Sequence, residues 1–194
     1  AENGLSETDV QQFWEDGFLV FDGLFSPEEV ESLREACANP QDQEWKTASE
    51  TIHSLGITSR DTRFLELARD PRIVSRITPL IGPDILLQHS KLAAQPAQKG
   101  KGGFGWHQDF AFFPHTNTDL VAVMVMLDDA TPENGCMSMV KGSHQLGLLD
   151  HANAEGFFVA ACQQSRYWEE HPDKVVAITP KAGGISIHHC LTLH

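Results

Sequence analysis

Apolar and polar positions change rhythm along the chain, from helical spacing near the start to short apolar runs further on. Val10, Phe13 and Trp14 fall at i, i+3 and i+4 within 6–16, the spacing of a helix with one buried face. Ser6 is a fair N-cap with Asp9 three residues on, a weaker capping-box partner than Glu or Gln. Gly17 ends this helix, and 18–21 reads as a short buried strand. Ser26-Pro27-Glu28-Glu29 supplies a cap, a proline at the first position and acids in the first turn. Val30, Leu33 and Cys37 form the apolar stripe of that second helix. The pattern over 38–60 is weak and polar and predicts a loop able to lie over a site. Helices are expected at 62–68 and 71–81, around the boundary Asp70-Pro71. After the Gly82-Pro83 turn, strands are expected at 85–92, 121–126, 136–140, 175–179 and 184–193. Residues 157–170 carry mixed signals, compatible with a short helix or an insertion lid.

Helices that come first and strands that come later suit an α+β, mainly β architecture. The expected form is a double-stranded β-helix (jelly roll, cupin-like) with packed N-terminal helices. At 194 residues the chain fits a single domain, residues 1–194. Its helical part would be 1–81 and its jelly-roll core 82–194.

Composition narrows the function classes. A formal charge of -13 argues against nucleic acid, whose phosphates need basic surface, and against an anionic membrane surface. No apolar run is long enough to span a bilayer. Residues 1–9 are polar and do not form a secretion signal. The four cysteines show no paired spacing, so a reduced cytoplasmic protein is the simplest expectation. Cys136 and Cys190 sit among apolar residues, as small core fillers do. Nothing in the sequence sets an oligomeric state.

The chemistry concentrates at Gly105-Trp106-His107-Gln108-Asp109-Phe110. On a strand, His107 and Asp109 would point to one face. A second imidazole from a distant strand would complete two histidines and one carboxylate. That set holds one face of an octahedral iron(II) and leaves the other open. A lone His-x-Asp is common and carries little information by itself. The closing strand offers His188, His189 and His194. On a regular strand His188, Cys190, Thr192 and His194 share one face and His189 takes the other, so spacing leaves His188 and His194 both open. His53, His115, His151 and His171 lie in polar stretches and are expected to face solvent. His144, at the Gly142-Ser143 turn, is expected to have a structural hydrogen-bonding role. Phe110, Phe112 and Phe113 are core residues by default, and one of them could wall a substrate pocket.

Several short motifs stand in a telling order: Phe13-Trp14-Glu15-Asp16-Gly17-Phe18, Gly82-Pro83-Asp84, His107-Gln108-Asp109, Phe113-Pro114, Glu133-Asn134-Gly135-Cys136, Gly142-Ser143-His144 and Leu191-Thr192-Leu193-His194. This order resembles the phytanoyl-CoA dioxygenase family of iron(II)- and 2-oxoglutarate-dependent oxygenases. The resemblance covers nearly the whole chain and is weakest over 39–60. It implies His194 as the distal metal ligand beside His107 and Asp109. It implies iron(II) as cofactor and 2-oxoglutarate and dioxygen as co-substrates. The reaction would hydroxylate a small organic substrate and release succinate and carbon dioxide. Related halogenases carry a small residue at the carboxylate position, so Asp109 favours hydroxylation. His89 and Lys91, expected on one face of the 85–92 strand, could help hold 2-oxoglutarate. The family also carries an arginine after the distal histidine, facing the far carboxylate of 2-oxoglutarate. The natural chain is therefore expected to continue past His194 and supply it. The alternative is a non-oxygenase jelly-roll protein that binds a metal or ligand, such as zinc at an open site.

Overall fold

The computed structural model describes residues 4–38, 44–46, 51–94, 104–163 and 165–194. In chain order these form α1 (Glu7–Asp16), β1 (Phe18–Phe21), α2 (Pro27–Cys37), β2 (Glu44–Lys46), β3 (Ile52–Leu55), α3 (Thr62–Ala68), α4 (Pro71–Ile81) and β4 (Lys91–Ala94). There follow β5 (Val121–Val125), β6 (Ser138–Val140), α5 (Tyr167–Glu170), β7 (Val175–Ala177) and β8 (Ile185–His189). The strands make three small antiparallel sheets, ordered β1-β8-β5, β2-β3-β4 and β6-β7. The architecture is mixed α/β with short strands.

The helix ends follow their capping chemistry. Ser6 Oγ accepts from the Asp9 amide at 3.1 Å and the Asp9 carboxylate accepts from the Ser6 amide at 2.8 Å. Ser26 and Glu29 repeat the arrangement at α2. Gly17 closes α1 at φ 89°. That conformation favours glycine, and space demands it too: a Cβ there would lie 2.5 Å from His144 Nδ1 and 2.6 Å from Thr192 Oγ1.

Strand β8 organises the rest. It is the middle strand of its sheet, and all of its residues are buried. Ile185 and Ile187 join Phe13, Leu19, Val30, Ile73 and Leu80 in the main core, so α1, α2 and α4 cover one face of the sheet. Ser186 and His188 alternate onto the opposite face. His189 returns to the helical side, where its ring lies 5.8 Å from Trp14 and 5.4 Å from His144.

The structure departs from the sequence pattern in several places. Residues 85–90 are not a strand; pairing starts only at Lys91. Leu86 and Leu87 are exposed, and with Ile85 they border a surface groove beside α3 and α4. The closing strand stops at His189 because the Leu191 amide donates to His189 Nδ1 at 3.1 Å and the Thr192 amide to the His189 carbonyl at 2.9 Å, which turns the chain. Part of the polar stretch expected as a loop forms β2, β3 and a 3₁₀ turn at Ile57–Ser59; residues 39–43 and 47–50 lie outside the described residues. His53 and His151 are buried rather than solvent-facing. His53 points inward from β3, and His151 supports the site described next. No described helix is long and apolar enough to cross a membrane.

Candidate metal centre

His107, Asp109 and His194 converge. One ligand atom from each lies within 4.8 Å of the others. Asp109 Oδ1 is 3.9 Å from His107 Nε2 and 3.6 Å from His194 Nε2. The segment that carries His107 and Asp109 is not a regular strand, contrary to the sequence expectation; Asp109 opens a 3₁₀ turn, Asp109–Ala111. The same-side geometry survives because Gln108 between them is extended, at φ -121° and ψ 131°, and one extended residue suffices to align its neighbours.

Backbone pairing then joins the two distant histidines. His107 and His194 exchange amide-to-carbonyl bonds of 3.0 Å in both directions. The closing segment is held from several sides. Leu193 donates to Ser143 Oγ at 2.9 Å, its carbonyl accepts from Val140, and Thr192 Oγ1 donates to the Gly17 carbonyl at 2.8 Å. His144, as expected, is structural: it is buried and Nε2 bonds the Trp14 carbonyl at 3.1 Å.

Gln108 is completely buried, and its side chain is a latch. Nε2 donates to the Leu191 carbonyl at 2.7 Å and to the Gly147 carbonyl at 2.9 Å; Oε1 accepts from the Leu149 amide at 2.7 Å. Its own amide donates to His151 Nε2 at 3.1 Å. Sequence reasoning missed both residues. The available signal was a polar residue between two same-side ligands, which must point the opposite way, into the protein.

The protonation of the two imidazoles follows from their outer nitrogens. His107 Nδ1 bonds the Gly105 carbonyl and His194 Nδ1 bonds the Thr192 carbonyl, each at 2.9 Å. A carbonyl only accepts, so each Nδ1 carries the hydrogen and each Nε2 presents a lone pair. Burial holds His107 below the usual histidine range and pushes His194 down to about 3, so both rings are neutral. Burial alone would raise Asp109, but the hydrogen bond from His188 opposes it, and its carboxyl lies well below the usual range. Three lone-pair atoms therefore face one another with no donor among them. Such a set is poor as a hydrogen-bond network and well suited to a cation. These three residues could hold a divalent metal.

His188 stands beside the trio, buried, with Nε2 3.2 Å from Asp109 Oδ2. His89 and Lys91 lie near it without joining it. His89 falls outside β4, so the expected shared strand face does not form; its exposed ring packs 4.5 Å from Phe113. Partial desolvation, then the Lys91 charge, lowers the His89 pKa. Among the aromatic residues Phe112 reaches the trio, edge-on to His107 at 5.4 Å and to Phe158 at 5.1 Å. Phe158, Ala111, Leu149 and His151 border a surface cavity of about 470 Å³.

Two neutral imidazoles and one carboxylate on converging backbone form a donor set of the two-histidine, one-carboxylate kind, which could hold a metal ion. The phytanoyl-CoA dioxygenase (PhyH) family model matches residues 13–194. The chain belongs to that family, and it is a dioxygenase. A probable alpha-ketoglutarate-dependent hypophosphite dioxygenase of Stutzerimonas stutzeri is 30% identical over 203 residues, spanning 95% of this chain and 70% of that protein. The ectoine dioxygenase of Bordetella parapertussis is 26% identical over 99% of this chain and 70% of its own length. The fold is shared with the apo form of EctD from S. alaskensis, at TM-score 0.79 and 24% identity over 97% of this chain and 70% of that one. It is also shared with the epimerase SnoN, at TM-score 0.76 and 24% identity over 95% of this chain and 73% of that one.

Proposed function

We propose that His107, Asp109 and His194 hold iron(II), and that the protein uses 2-oxoglutarate and dioxygen to hydroxylate a small organic molecule, with succinate and carbon dioxide as co-products. The observation that carries this reading is the convergence of three unprotonated donor atoms, two neutral Nε2 and one carboxylate oxygen, with no hydrogen between them. Family membership supports the class of enzyme, iron(II)- and 2-oxoglutarate-dependent. The relatives' names support small-molecule substrates, hypophosphite and ectoine among them.

When bound, iron(II) supplies the redox chemistry that couples oxidation of 2-oxoglutarate to oxidation of the substrate. The chain's own residues prepare the place. Gly105 and Thr192 fix the imidazole tautomers through their carbonyls. Gln108 fixes the backbone between two ligands. Phe112 sets an apolar ring edge-on to His107, and Phe158 packs on Phe112 in turn. Asp109 fills the position that a halide would need, which supports hydroxylation over halogenation. His89 and Lys91 are proposed to help hold the 2-oxoglutarate carboxylates, on the ground that the Lys91 charge is felt at both His89 and His107.

The same reading takes residues 1–194 as one oxygenase domain, with the small sheets as the wall of a double-stranded β-helix and the N-terminal helices packed outside it. Four free cysteines support a reducing, cytoplasmic setting. The test is reconstitution with iron(II) under nitrogen, followed by 2-oxoglutarate and oxygen. Metal-dependent succinate formation, stimulated by one member of a panel of small substrates, is the expected result. Tight zinc retention with no succinate would favour the binding-protein alternative.

A further inference from the structure

We infer that His188 is a positioning residue that fixes how Asp109 meets the metal, an inference that rests on the metal reading above. The two carboxylate oxygens of Asp109 have different surroundings. Oδ1 faces the Nε2 atoms of His107 and His194, at 3.9 and 3.6 Å. Oδ2 faces His188 Nε2 at 3.2 Å. The carboxylate thus presents one oxygen to the shared centre while its other oxygen is engaged elsewhere.

The tautomer of His188 follows from what each nitrogen meets. Its Nδ1 is buried with no hydrogen-bond partner. A hydrogen on Nδ1 would leave a buried donor unsatisfied and would set the Nε2 lone pair against a carboxylate oxygen. A hydrogen on Nε2 satisfies both that nitrogen and Oδ2. His188 therefore donates to Asp109. Its ring cannot drift, because it projects from the middle strand of its sheet, opposite Phe18 on β1 and Ala122 on β5. The opposite strand face is closed by the helical core.

The consequence is geometric. With Oδ2 tied to His188, Asp109 offers a single oxygen and takes one coordination position. Without that tie the carboxylate is free to turn and offer both oxygens, which would occupy a position that the co-substrates need. Partners of this outer kind typically change metal affinity by about 10–100-fold when removed.

The test uses cobalt(II) as the probe metal on the full chain, read by its visible absorption and by calorimetric titration. H188F, which keeps the ring shape and loses the donor, is expected to weaken cobalt(II) binding by roughly 10–100-fold and to shift the ligand-field bands. H188Q, whose amide nitrogen can occupy the Nε2 position, is expected to recover most of the loss. Parent-like affinity and bands in H188F would overturn the inference. D109A separates this failure from failure of the metal reading: if D109A also binds cobalt(II) as the parent does, the metal reading falls and takes this one with it. If H188F does not fold, the tautomer in the metal-free parent decides. A long-range ¹⁵N–¹H correlation that shows His188 protonated at Nε2 supports the inference, and protonation at Nδ1 overturns it.

Discussion

Replacing Gln108 with leucine should loosen the site by unfolding pressure rather than by removing a ligand. The leucine has similar volume, so packing is largely kept. What is lost is a set of hydrogen bonds: two donated by Nε2 and one accepted by Oε1. The Leu191 carbonyl is buried with that bond, and leaving it unsatisfied costs about 1–3 kcal/mol. The Gly147 carbonyl and the Leu149 amide are only partly buried and can recruit water, so each costs about 1 kcal/mol. Burying a leucine in place of an amide returns about 1–2 kcal/mol. The net loss should be about 2–3 kcal/mol, a large share of a typical stability of about 5–15 kcal/mol. Urea unfolding of the metal-free protein measures it. With a slope near ~2 kcal/mol/M the midpoint should fall by about 1 M. Q108E should be worse at neutral pH, because a buried carboxylate would face two carbonyl oxygens. A Q108L midpoint equal to the parent's, or Q108E as stable as Q108L at pH 8, would refute the latch argument.

D109A should lose metal-dependent succinate formation, and added chloride should not yield a chlorinated product; unchanged turnover in this variant would remove Asp109 from the site. G17A should destabilise the protein by more than about 1 kcal/mol in urea unfolding, because alanine is disfavoured at positive φ and its Cβ would press on His144 and Thr192; a neutral effect would show that these side chains yield. His189 is pushed down to about 4, chiefly by burial, with the nearby histidines adding to it. Its folded pKa lies below its unfolded value near ~6.5, so the unfolded chain takes up the proton first and stability falls as pH drops from about 6.5 to 4. At pH 5 this amounts to about 2 kcal/mol, which should vanish from the pH dependence of unfolding in H189F; an identical pH slope in that variant would discard the assignment.

Helices were the legible part of this chain, because their caps and spacing are local. Ser6, Ser26, Asp61 and Asp70 cap the helices they precede. Strand limits were less legible, because they depend on partners that a sequence does not display. Ile85, Leu86 and Leu87 are apolar yet lie outside any strand, and β8 ends at His189 through a bond from Leu191 to that residue's own ring. The metal trio was visible as residue types and order. Its supports were not: Gln108 acts on carbonyls at 147 and 191, and His151 reaches back to the Gln108 amide. Such contacts are set by tertiary structure alone. Parity along β8 did separate His188 from His189. It could not separate His188 from His194, because the turn at Cys190-Leu191 breaks the alternation between them.

That turn also explains how one strand can serve both the core and the site. If β8 ran straight to His194, the distal histidine would lie three pleat repeats beyond His188 on the same face, past the ends of β1 and β5. Instead the chain leaves the sheet after His189 and lays residues 192–194 against Gly17, Ser143 and His107. The His188 and His194 rings then come to 4.5 Å of each other and approach Asp109 on different oxygens. The metal-free arrangement sets lone pairs against a carboxylate, which is unfavourable, and the backbone pairing of His107 with His194 holds it in place. A bound cation removes that repulsion in the folded state alone. Its affinity should therefore appear as added stability, by RT ln(1 + [L]/Kd), of about 2.7 kcal/mol at a hundredfold excess over Kd. A melting temperature that does not respond to a metal shown by calorimetry to bind at saturating levels would mean that the unfolded chain binds it equally well, and that the converging lone pairs are not its site.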